Sequence, residues 1–133
     1  MIRSPKNYVV QKVLTLLIGT TSVAVLAVTS PLPNQVTGQL VDLSCYSENK
    51  DNIGNRHINR GLTCAQACAR EGFEVGLLTR DGTIYHVHGG LTANSNAKLV
   101  PHMSEFVTIT GVISKEKGQN VIASDGLKEV DKE

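Results

Sequence analysis

The sequence predicts a mainly β domain, a small five-stranded barrel with one short helix. Five short apolar patterns with strand character are separated by turn residues. Gly38, Gly76 and Gly111 fall inside three of these patterns, and a glycine within a strand often marks a bulge or a barrel corner. About a hundred residues follow the N-terminal segment, which is enough for one small hydrophobic core. A simple β-sandwich is the alternative architecture.

Residues 1–27 have the composition of a signal peptide. Arg3, Lys6 and Lys12 give a basic start without acidic residues, and Val13–Val28 then runs sixteen residues without a charge. A spanning helix needs about 20 apolar residues, whereas this length suits the apolar region of an export signal. The segment therefore predicts export to the periplasm or the cell exterior. An uncleaved membrane anchor is the alternative.

The charge of the chain changes sign once this segment is set aside. Residues 1–27 hold three of the thirteen basic residues and none of the twelve acidic ones, so the remainder has ten basic and twelve acidic residues and a formal charge of −2. A weakly acidic domain lacks the positive surface that binds nucleic acid. Residues 28–35 are predicted to form an extended linker, because Pro31 and Pro33 disfavour a helix. The barrel domain is assigned to residues 36–127.

The first half of this domain contains one predicted strand and the predicted helix. The strand covers Val36–Leu43 and leads into a long polar loop. The helix covers Cys64–Glu71, because Thr63 and Gln66 form a capping-box pattern at its start. Gly72 stands where a left-handed residue commonly ends a helix.

The second half contains the other four strands. Asp81-Gly82 is typical of a tight hairpin turn, and a helical or irregular piece is predicted over Leu91–Leu99. Alternating apolar residues in the fourth strand place Val107, Ile109 and Ile113 on one face. The predicted strands are Phe73–Arg80, Thr83–His88, Glu105–Ser114 and Asn120–Ser124, and residues 128–133 form a charged tail. Five strands with one internal helix fit a barrel of the OB-fold type.

Residues that commonly ligate metals are concentrated between Cys45 and Cys68. Cys45, His57, Cys64 and Cys68 follow the pattern C-x11-H-x6-C-x3-C, in which the last two cysteines lie one turn apart on the predicted helix. Three Cys and one His match a closed tetrahedral zinc site, and thiolates also suit Cu(I). The alternative is a disulfide from Cys45 to Cys64 or Cys68 with one free thiol, because exported proteins commonly form disulfides.

Three further histidines form a second candidate metal site. His86 and His88 point to the same face of a predicted strand, and His102 is a third candidate donor. Imidazoles suit Zn, Cu and Ni. The alternative is that these histidines are solvated residues without a ligand.

The sequence contains no recognisable hydrolase constellation. It lacks the hydrolase elbow G-x-S-x-G, the zinc-protease motif H-E-x-x-H, the Walker A loop and the dinucleotide loop G-x-G-x-x-G. No set of acid, base and nucleophile can be named, so a non-enzymatic role is favoured and catalysis stays open. Few aromatic residues and a negative charge also disfavour an OB-fold surface for nucleic acid or oligosaccharide.

Four segments of the domain carry a shared pattern: GQLVDLSCY, a His-bearing loop, CAQACAREGFEVGLLTRDGTIYHVHG and LVPHMSEFVTITGVI. Together they resemble a family of small exported bacterial OB-fold proteins without an established activity. The shared motif D-x-x-C-Y … H … C-A-x-x-C-A groups Cys45, Tyr46, His57, Cys64 and Cys68. The resemblance covers most of residues 36–124 and implies the fold and this grouping, but no reaction. Phe73-Glu74 and the pair His86 and His88 depart from the family pattern.

Two hypotheses of function follow. The first is an exported binding module that holds Zn or Cu through Cys45, His57, Cys64 and Cys68. The second is a disulfide-stapled or thiol-redox interaction domain without a metal, which would act with a periplasmic protein partner. Contact with a membrane is expected only if residues 1–27 stay uncleaved.

Overall fold

The computed structural model describes residues 33–56 and 60–130. The predicted signal peptide, His57 and the last three residues of the predicted tail lie outside the described residues. Within the described ranges, no helix is both long and apolar enough to cross a membrane.

Six strands and three short helices make up the described fold. The strands are β1 (Asn34–Asp42), β2 (Val75–Leu78), β3 (Ile84–His88), β4 (Phe106–Glu116), β5 (Gln119–Ala123) and β6 (Leu127–Glu129). The helices are α1 (Leu43–Glu48), α2 (Cys64–Arg70) and α3 (Ala93–Asn96), with 3-10 turns at Gly89–Thr92 and Val100–His102.

The first five strands close into a barrel. The sheet order is β1-β2-β3-β5-β4-β6, and an additional pairing between β1 and β4 closes the circle. All neighbours are antiparallel except β3 and β5, which run parallel. This mixed five-stranded barrel with an extra strand confirms the predicted OB-fold-like architecture.

Strand β1 pairs with two neighbouring strands, and Gly38 lies close to the point where the pairing changes from β4 to β2. Residues 34–39 pair with β4, whereas residues 39–42 pair with β2. A Cβ atom at Gly38 would lie 2.6 Å from the carbonyl oxygen of Leu78. A Cβ at Gly111 would likewise press on the carbonyl oxygen of Ala123. Both glycines therefore stand where neighbouring backbones approach closely, as predicted for barrel corners.

The core lies within the barrel, and α2 packs against it. Val107 and Ile109 of β4 are buried, which confirms the predicted inward face of this strand. Ala65 and Ala69 of α2 are fully buried, so these small side chains let the helix lie close to the barrel. The largest fully buried apolar side chains are Leu40, Leu77, Leu91, Leu99, Ile109 and Ile122.

Three features differ from the sequence predictions. Helix α1 was not predicted. Strand β1 begins at Asn34, inside the assigned linker, and β6 takes in Lys128 and Glu129, which were assigned to the charged tail. Strand β6 is short and polar, so the periodicity of its side chains gave no strand signal. It forms by pairing with the exposed edge of β4.

Candidate metal centre

Helix α1 positions Cys45 directly after the buried end of β1. Asp42 is the N-cap residue of α1, and its Oδ1 accepts a hydrogen bond from the Cys45 backbone N–H at 2.9 Å. The Ser44 hydroxyl donates to the same oxygen at 2.6 Å. This cap fixes the start of α1 and the backbone that carries Cys45.

Helix α2 positions the other two cysteines. The predicted capping box is present: the Thr63 Oγ1 accepts from the Gln66 N–H at 3.2 Å, and the Gln66 Oε1 accepts from the Thr63 N–H at 3.0 Å. The Ala65 N–H, which no residue of the helix can satisfy, donates to the carbonyl of Gly54 at 2.9 Å. The loop before α2 is thus tied to the start of the helix.

The two helices bring three sulfur atoms together. The Sγ atoms of Cys45, Cys64 and Cys68 all lie within 4.8 Å of one another. The Cys45 and Cys64 sulfurs are 3.9 Å apart, and all three thiols are free and half-buried. The two sulfur atoms of a disulfide are about 2.05 Å apart. Two thiolates on one tetrahedral zinc ion, each about 2.3 Å from it, lie about 3.8 Å apart.

The surroundings favour the protonated forms of Cys45 and Cys68. Burial raises the pKa of Cys45 to about 12, with further contributions from hydrogen bonding to Cys64 and to Asp42. Burial also raises the pKa of Cys68, and the negative charge of Asp42 raises it further. A metal ion must therefore displace protons from the thiols, and its binding strengthens as the pH rises.

No family model, curated protein or solved structure matches the chain.

The predicted four-residue set is observed in part. The structure brings Cys45, Cys64 and Cys68 together. His57 lies outside the described residues, so its role as the fourth donor stays a prediction.

The three other histidines do not assemble into one set in the described chain. The Nδ1 of His86 lies 3.7 Å from Glu74 Oε1. His102 instead lies with two glutamates, Glu105 and Glu129, with all three ligand atoms within 4.8 Å. His86 and His88 share strand β3 as predicted, but His102 approaches acidic side chains rather than these histidines.

Asp42 is a site residue to which the sequence analysis gave no role. Its side chain is 1% exposed, and its Oδ2 is buried without a hydrogen-bond partner. The N-cap pattern, an aspartate three residues before Cys45, was available in the sequence as a signal. The aspartate also belongs to the D-x-x-C-Y motif. The structure shows that this residue combines helix capping with a negative charge beside the thiols.

A surface cavity of about 580 Å³ reaches one of the thiols. Cys68 lines it together with Arg60, Arg70 and Phe73. Phe73 is 51% exposed and also borders a larger cavity of about 630 Å³ beside α1. The cavity at Cys68 gives solutes access to the sulfur cluster.

Proposed function

We propose that the protein is an exported binding module for a thiophilic transition metal ion, Zn²⁺ or Cu⁺, held by Cys45, Cys64 and Cys68. The observation that carries the proposal is the convergence of the three sulfurs from two helices to within 4.8 Å. The Cys45–Cys64 distance of 3.9 Å matches the edge of a metal–thiolate polyhedron and is far longer than a disulfide.

The ligand set accounts for both metals. Three thiolates are a soft donor set that suits Cu⁺ directly. A closed zinc site needs a fourth donor, for which we propose His57, a residue between α1 and α2 in the sequence. Once deprotonated, the three cysteines would carry three negative charges beside the carboxylate of Asp42, so a bound cation would relieve the repulsion between these groups.

Metal analysis of the exported protein tests this proposal. The untagged chain is expressed with residues 1–27 intact, recovered from outside the cytoplasm and measured by native mass spectrometry and elemental analysis. We expect one equivalent of Zn or Cu that depends on the cysteines, and three thiols that react only after chelation. Cys68→Ser should remove this equivalent, whereas Ser47→Ala on the outer side of α1 should not.

The same samples test the predicted fourth donor and the export signal. His57→Asn should strongly weaken the binding of Zn²⁺ and barely affect the binding of Cu⁺, because three sulfur ligands are enough for Cu⁺. N-terminal sequencing of the recovered protein distinguishes a cleaved signal peptide from an uncleaved anchor. Protein that contains no stoichiometric metal and has lost two hydrogens in one disulfide would overturn the metal proposal.

A disulfide-stapled domain is the second candidate function. The observation that favours it is the direct contact of the Cys45 and Cys64 sulfurs, because a small movement would allow them to bond. Oxidation would then leave Cys68 as a single thiol that faces a cavity with Arg60 and Arg70. Counting thiols after chelation, with and without a reductant, separates the two candidates: without the reductant the disulfide-stapled domain has one reactive thiol and the metal site has three.

A further inference from the structure

A second group of metal-ligand side chains lies at the junction of three elements, away from the cysteines in sequence. His102 ends the 3-10 turn Val100–His102, Glu105 directly precedes β4, and Glu129 ends β6. The pairing of Glu129 with Val107 in the sheet brings β6 alongside the start of β4. The cluster is therefore assembled by the tertiary fold.

The contacts within this group leave a buried nitrogen of His102 without a hydrogen-bond partner. His102 Nδ1 lies 3.1 Å from Glu129 Oε1 and 3.5 Å from Glu105 Oε2. Despite this proximity, Nδ1 is buried and has no hydrogen bond. Among the described residues, neither glutamate pairs with a lysine or arginine. Two carboxylates, on side chains that are 43% and 67% exposed, thus lie within ion-pair distance of an imidazole nitrogen without a directed hydrogen bond to it. A buried nitrogen that lacks a hydrogen bond is costly.

These distances suit a metal ion between the three groups. Nitrogen and oxygen ligands lie about 2.1 Å from Zn²⁺, so two such ligands on one ion are about 3.0 Å apart at an octahedral angle and about 3.4 Å apart at a tetrahedral angle. The observed 3.1 and 3.5 Å are close to these two edges. An ion at this position would also provide Nδ1 with its missing partner.

We propose that His102, Glu105 and Glu129 form a second metal site, which takes a divalent ion such as Zn²⁺ or Mn²⁺. Two carboxylates and a neutral imidazole balance a charge of +2. This nitrogen and oxygen set suits harder ions than the three thiolates do, so Mn²⁺ should select it over the cysteines, whereas Zn²⁺ suits both sites. Occupation of the second site fastens the short strand β6 to the barrel. The proposal is independent of the metal assigned to the cysteines.

Mn²⁺ is the appropriate probe because it prefers oxygen and nitrogen to sulfur. The untagged chain, reduced and free of metal, is titrated with MnCl₂ at neutral pH and free Mn²⁺ is measured by electron paramagnetic resonance. We expect one bound equivalent. Glu129→Gln and Glu105→Gln should each weaken the binding of Mn²⁺ on the order of tenfold or more. Glu116→Gln, at the far end of β4, is the matched control and should leave binding unchanged.

Proton NMR on the wild-type chain locates the ion without any variant. Sub-stoichiometric Mn²⁺ should broaden the ring signals of His102 and leave those of His86 and His88 sharp. The proposal is overturned by broadening at His86 and His88 without His102, by Glu129→Gln binding Mn²⁺ as tightly as wild type, or by wild-type protein that binds no equivalent of Mn²⁺. Circular dichroism verifies that each variant keeps its barrel.

Discussion

Replacing Asp42 with Asn separates the two tasks of this residue. Asp42 Oδ1 caps α1 by accepting from the Cys45 N–H at 2.9 Å, whereas Oδ2 is buried without a partner. Asn retains the capping oxygen, and Asn and Asp are equally good N-caps. We therefore expect Asp42→Asn to leave the free energy of unfolding unchanged or raised, and to remove the negative charge beside the thiols.

The expected change in the reactivity of Cys45 follows from the loss of the negative charge of Asp42. Burial is the main cause of the raised pKa of Cys45, and the carboxylate of Asp42 raises it further. Loss of this carboxylate should therefore lower the pKa of Cys45 by about 1. The thiolate fraction then rises about tenfold. Intrinsic nucleophilicity falls roughly threefold over the same interval, so alkylation of Cys45 should become about threefold faster.

The assay is iodoacetamide alkylation of the reduced, metal-free chain, followed per cysteine by mass spectrometry, with urea unfolding in parallel. Asp42→Ala is the control: it should accelerate alkylation similarly but lower the free energy of unfolding by about 1 kcal/mol, because the cap is lost. An Asp42→Asn protein whose Cys45 reacts at the wild-type rate or more slowly would refute the electrostatic argument.

Three further predictions concern pH and stability. Because folding raises the pKa of Cys45 from 9.0 to about 12, the metal-free protein should lose stability as the pH rises from 9 through 12, measured by thermal unfolding; a flat profile would contradict this shift. Asn96→Ala should cost about 2 kcal/mol in urea unfolding, because the Asn96 amide donates to the carbonyls of Ala69 at 2.8 Å and Phe73 at 2.9 Å. Gly38→Ala should destabilise more than Gly76→Ala, since the first Cβ meets the backbone carbonyl of Leu78 and the second a movable Leu43 side chain; equal losses would count against backbone crowding.

The parts of the fold that local chemistry encodes were predictable from the sequence. The capping box of Thr63 and Gln66 and the turn at Asp81-Gly82 depend on residues close in the chain, and both form as predicted. The alternation along β4 correctly separated its buried and exposed faces. These signals are strong because each depends on one turn or on one repeated spacing.

Features that depend on distant contacts were not predictable. Helix α1 is six residues long, too short for a helical period to show. Asn94, Ser95 and Asn96 adopt left-handed backbone angles so that the Asn96 amide reaches the end of α2, a contact that no local pattern announces. The same applies to the site: Cys64 and Cys68 were correctly placed one turn apart, but the approach of Glu129 to His102 depends on the pairing of β6 with β4.

The contact between Cys45 and Cys64 joins positions nineteen residues apart. A link through a shared ion would close this loop and remove conformational freedom from the unfolded chain, which is worth about 3 kcal/mol by the chain-entropy arithmetic for cross-links. Folding and metal binding would then be a single equilibrium. Without the ion, the chain would unfold more often and be degraded sooner, so the amount of protein that accumulates would report how much metal its compartment supplies.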